Sequence, residues 1–124
     1  HDSVATAEGG ERIIKTALDN WGRIDIVVNV AGIVRDRMIF NMTEEEWDAV
    51  LAVHLKGHFN TIKPASILMR QQRGGRIINF SSVSGLIGNP GQANYGRPRP
   101  TRCRVTLSTW RRWWPGWPAT AHGT

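Results

Sequence analysis

Ile26, Val27 and Val28 form an unbroken β-branched run, too short for a helix, and stretches of helical period flank it on both sides. Such a run reads as a parallel strand buried on both faces, here spanning Ile24 to Asn29. Before it, Ile13, Ile14, Ala17, Leu18 and Trp21 recur at a period near 3.6, which predicts a helix over residues 7–21 with Gly22 as its stop. After it, Thr43 and Glu46 have the spacing of a capping box, and Met42 and Trp47 that of a hydrophobic staple. Trp47, Val50, Leu51, His54 and Leu55 then share one face of a helix running to about Gln72, with a kink or break expected at Pro64. Gly74-Gly75 close that stretch, and Arg76 to Phe80 supply a second short strand. The order helix, strand, helix, strand implies parallel strands joined by right-handed crossovers, an α/β doubly wound sheet.

The pattern stops at Gly96. Residues 1–96 hold ten Lys/Arg and ten Asp/Glu, so the formal charge of +6 comes entirely from six arginines in residues 97–124. Those residues also hold four of the six tryptophans, four of the six prolines and Cys103, with neither strand nor helix period. The expected organisation is therefore a partial domain over 1–96 and an irregular Arg/Pro/Trp-rich tail over 97–124, out of frame or disordered. A helix-compatible continuation after Gly96 in another reading frame of the gene is the test of that expectation. The basic balance describes the tail and gives no reason to expect an anionic partner for the body. A single cysteine fits a reducing compartment. No apolar run approaches the roughly 20 residues that span a membrane. A doubly wound domain ordinarily takes roughly 200–250 residues, and His1 is no initiator, so the chain is expected to begin partway through a gene product.

Ser82 precedes Tyr95 by thirteen positions, on the segment that follows the second strand. A hydroxyl pair there can converge on one carbonyl oxygen. Asn29-Val30-Ala31-Gly32 at the end of the first strand resembles the Asn-Asn-Ala-Gly of the classical short-chain dehydrogenase/reductase family, and Arg76 to Tyr95 resembles its strand, serine and tyrosine stretch. The finer resemblance is to 3-oxoacyl carrier-protein reductases and (3R)-hydroxyacyl-CoA dehydrogenases, through Ala31 to Asp36 and Gly88 to Tyr95.

The resemblance implies a Rossmann-like sheet, NAD or NADP as cofactor, and a small acyl thioester or other carbonyl/alcohol pair as substrate. It implies Tyr95 as general acid/base, a role for which a free phenol, with a pKa near 10, needs a nearby cation. Ser82 would donate to the same oxygen, and Asn29, Ala31 and Gly32 would border the cofactor at the strand's carboxyl end. His54 takes the family's asparagine position, as in the hydroxyacyl-CoA branch. Arg99 takes the lysine position in Tyr95-Gly96-Arg97-Pro98-Arg99, with a planar fork in place of an ammonium. The family's glycine-rich Thr-Gly-x-x-x-Gly-x-Gly turn has no match, since Gly9-Gly10 sits within a helical pattern; with that turn absent and the lysine replaced, the 124-residue chain is expected to be inactive. No metal site is expected. Cytoplasmic localisation and a family-like homo-oligomer are the remaining expectations. Two other readings stand beside the enzyme: a non-catalytic module pairing with a complete subunit through the helix at Thr43 to Gln72, and a Trp/Arg tail binding single-stranded nucleic acid.

Overall fold

The computed structural model describes residues 2–96 and the backbone of a strand at 104–106. Helix α1 covers Ala7–Trp21. Thr6 caps it by accepting from the Gly9 N–H, and Gly22 ends it in the left-handed region at φ 71°. Strand β1 is Ile26–Asn29 and strand β2 is Arg76–Asn79. They run parallel, with Ile26 opposite Arg76 and Asn29 opposite Asn79, so their carboxyl ends reach one edge of the sheet together.

Helix α2, Glu44–Leu51, starts on the expected capping box: the Thr43 hydroxyl accepts from the Glu46 N–H at 3.2 Å, and the Glu46 carboxylate accepts from the Thr43 N–H at 3.0 Å. In the same first turn, hydrogen bonds from its own backbone N–H and from Thr43 hold the Glu45 carboxyl below the usual carboxylate range. Ala52–Lys56 then widens into a π turn before helix α3, Gly57–Gln72. The wider turn rotates α3 relative to α2. Val50 and His54 are buried, whereas Leu55, expected on the same apolar face, is exposed.

Pro64 neither breaks nor ends α3. Its missing N–H leaves the Asn60 carbonyl without a helical partner, and α1 packs there: a Cβ placed on Gly10 would lie 2.5 Å from that oxygen. Gly9 is equally committed, its would-be Cβ lying 1.9 Å from the Ser3 carbonyl oxygen. Both glycines serve close packing.

The core joins Ile14 of α1, Ile24, Val27, Ile77, and Ala65 and Met69 of α3. The strands differ here from the expected burial on two faces. Val27, Asn29 and Ile77 point into the core, while Ile26, Val28 and Ile78 are exposed. Helices α1 and α3 cover one face, and alternation puts every second side chain on the other. Residues 104–106 form β3, paired antiparallel to β2 with Thr106 opposite Arg76. A strand was not expected in that tail; the open edge of β2 offers unpaired backbone groups that any extended segment can satisfy. A 3₁₀ turn at Ile39–Asn41 precedes α2, and helices α4, Ser84–Ile87, and α5, Ala93–Gly96, complete the described elements.

Candidate functional site

Asn29 ends β1 with its carboxamide fully engaged. Its Nδ2 donates to Asn79 Oδ1 at 2.8 Å, and Thr61 of α3 donates to its Oδ1 at 2.8 Å. The Phe80 N–H continues the ladder onto the Asn29 carbonyl at 3.1 Å. One side chain thus ties both strand ends to the helix beneath them. Beyond it, Ala31 and Gly32 are exposed with almost no side chain, leaving their backbone open to a flat ligand.

His54 lies in the π turn and is only 1% exposed. Its Nε2 faces the backbone of Ile33, 3.0 Å from the N–H and 2.6 Å from the carbonyl oxygen. The ring tautomer decides which of the two is bonded. The ring also meets Tyr95 edge-on, with centroids 5.1 Å apart and planes at 90°. His54 therefore links the segment leaving β1 to the tyrosine.

Tyr95 sits half-buried in α5, which packs against α2 and α4. The fit with α4 is tight, since a Cβ on Gly96 would lie 2.9 Å from the Ser84 carbonyl oxygen. Ser82 stands half-buried just before α4, where its Oγ accepts from the Ser84 N–H at 3.3 Å and its carbonyl accepts from the Gly85 N–H at 3.0 Å. Ser84 Oγ in turn accepts from Asn89 Nδ2 at 2.8 Å. Gly88 and Gly91 turn the chain back at φ 73° and 76°, conformations that disfavour any side chain.

Residues 35–37 fasten this returning segment. Arg37 N–H donates to the Gly91 carbonyl at 2.8 Å, Gln92 Nε2 donates to the Asp36 carboxylate at 3.1 Å, and Asn94 Nδ2 donates to the Arg35 carbonyl at 3.0 Å. Asn94 reaches the Glu46 carbonyl as well, at 3.3 Å, and is wholly buried. Sequence reasoning passed over Asn94. The available signal was an amide directly before the tyrosine, with neither a cap nor a turn to explain it. Of the residues singled out from sequence, the structure brings His54 and Tyr95 into contact. It sets Ser82 at the head of the helix packed on α5, and Asn29, Ala31 and Gly32 at the sheet's carboxyl edge. Arg99 lies outside the described residues. No helix among the described residues is long and apolar enough to cross a membrane.

Residues 2–97 match the profile of the short chain dehydrogenase family. The chain is 50% identical over 93 residues to a 3-oxoacyl-[acyl-carrier-protein] reductase of Synechocystis, covering 75% of this chain and 38% of that protein. It is 52% identical over 95 residues to the peroxisomal multifunctional enzyme type 2 of Mus musculus, covering 77% of this chain and 12% of that protein. A crystal structure of a short chain dehydrogenase from Mycobacterium avium superposes with a TM-score of 0.71 at 48% identity, over 77% of this chain and 35% of the other. The chain spans little more than a third of the reductase it matches.

Proposed function

The chain belongs to the short chain dehydrogenase family, and from that premise we propose that it carries the proton-transfer side of an NAD(P)-dependent interconversion of a 3-oxoacyl and a 3-hydroxyacyl thioester. The contact between Tyr95 and His54, with His54 held to the segment leaving β1, carries this reading. The 3-oxoacyl-[acyl-carrier-protein] reductase at half identity points to the thioester.

In the reducing direction, the Tyr95 phenol gives its proton to the carbonyl oxygen as the carbonyl carbon gains a hydride. The Ser82 hydroxyl donates to the same oxygen and stabilises the charge that develops there. In the oxidising direction the tyrosine takes that proton back. NADH or NADPH supplies the hydride when bound. The exposed backbone of Ala31 and Gly32 fits the flat end of such a cofactor, while the Asn29 carboxamide, committed to Asn79 and Thr61, holds the strand ends under it. None of the 124 residues supplies a glycine-rich phosphate turn, so the purified chain by itself is expected to show no substrate-dependent NAD(P)H oxidation. A single cysteine is in keeping with a cytoplasmic setting.

A chimera tests the reading. Residues 24–95 replace the corresponding segment of a complete 3-oxoacyl reductase, and NADPH oxidation is followed with an acetoacetyl thioester. Turnover is expected, and Tyr95→Phe within the graft should lower kcat by about 10²-fold or more. A folded chimera that binds cofactor yet turns nothing over would sink the proposal.

A further inference from the structure

The residue before Tyr95 is more deeply buried than Tyr95 itself, and the proton-transfer chemistry leaves it unused. Asn94 is 0% exposed and offers two N–H donors, which face two carbonyls on unrelated elements: Arg35, in the segment after β1, and Glu46, in the first turn of α2. Among the described residues its Oδ1 accepts no hydrogen bond, so the donors are what the side chain contributes. We infer that Asn94 is a positioning residue: its bridge to Arg35 and Glu46 sets the rotation of α5 and thereby holds the Tyr95 ring against His54.

Three observations support this. Asn94 ties α5 to two elements distant in sequence, 59 and 48 residues away. A neighbouring side-chain tie, from Gln92 to Asp36, is exposed and exchanges readily with water. Asn94 makes its bonds away from solvent, where each is electrostatically stronger. The elements it joins are also those that frame the ring pair, since α2 runs directly into the π turn bearing His54, and Arg35 lies two residues from Ile33. A side chain able only to accept, or only to fill space, cannot bridge two carbonyls.

That the resulting ring position is a catalytic one rests on the dehydrogenase reading, so the test avoids turnover. Tyr95 is the sole tyrosine, so its ring protons give one unambiguous set of resonances. In the full chain, nuclear Overhauser contacts between the Tyr95 and His54 rings are expected. Asn94→Leu keeps the volume and removes both donors; it should retain the folded amide spectrum and lose those contacts. Retention of the contacts would overturn the inference. Should that variant not fold, Asn94→Asp provides a second test. Its carboxylate at neutral pH keeps the shape and carries no donor for either carbonyl, so the contacts should be lost; a folded N94D that keeps them also overturns it. Should neither fold, the parent decides. Asn94 Nδ2 protons should exchange at least about tenfold more slowly than those of exposed Asn41, and equal rates would overturn it. Loss of the contacts alongside an inactive chimera would leave this inference standing and remove only the dehydrogenase reading.

Discussion

Truncating Asn29 leaves Asn79 Oδ1 without its donor and takes one of three acceptors from the Thr61 hydroxyl, which keeps the Gly57 and His58 carbonyls. Asn29→Ala should therefore cost about 1 kcal/mol of folding stability, read as a lower urea midpoint, the net worth of a typical intramolecular hydrogen bond. A Tyr95→Phe change should instead be read in chimera turnover, lowered by about 10²-fold or more, which separates the tie from the chemistry. The sequence placed Asn29 at a strand's carboxyl end, and the structure agrees on the place. Its partners lie 32 and 50 residues away, where no local pattern can point. Asn94 was barely legible for the same reason: beyond an unexplained amide beside the tyrosine, its burial comes from α2 and the 35–37 segment, which leave no mark on its immediate neighbours.

Elements were most legible where their signals are local. The apolar face of α1, its glycine stop and the capping box of α2 all follow from residues within one or two turns of each other. The π turn was hidden because Val50, Leu51, His54 and Leu55 fit a 3.6-residue period as well as a wider one, and only the exposure of Leu55 distinguishes them. The helix runs unbroken through Pro64 for a physical reason. A proline demands relief at the carbonyl four residues earlier, and here the relief is a neighbouring helix bearing glycine at the contact. Gly10→Ala should push α1 from α3 and cost about 1–3 kcal/mol, measured as a fall in thermal midpoint, since a methyl 2.5 Å from the Asn60 carbonyl oxygen forces the helices apart. Gly74→Ala, with open space around it, is the matched control.

For the molecule as a whole, the described residues cover the sheet on one side and leave Ile26, Val28 and Ile78 as a contiguous apolar surface. Exposed patches of this kind drive association. Replacing Ile26 and Ile78 together by Lys should reduce concentration-dependent self-association in sedimentation velocity while leaving the core intact; unchanged association would place the adhesive surface elsewhere. The β-branched run identified the strands, but which faces are covered depends on segments that the run does not contain. The polar ties of the site share one further property. Ile24 to Gln72, Asn29 to Asn79, Asp36 to Gln92 and Arg35 to Asn94 span 48, 50, 56 and 59 residues. During synthesis at roughly 5–20 residues per second, each early partner waits several seconds for its late one to leave the ribosome. The first strand thus emerges with its amide unanswered and its apolar side chains bare. For that interval, the nascent chain shows apolar surface of the kind chaperones bind.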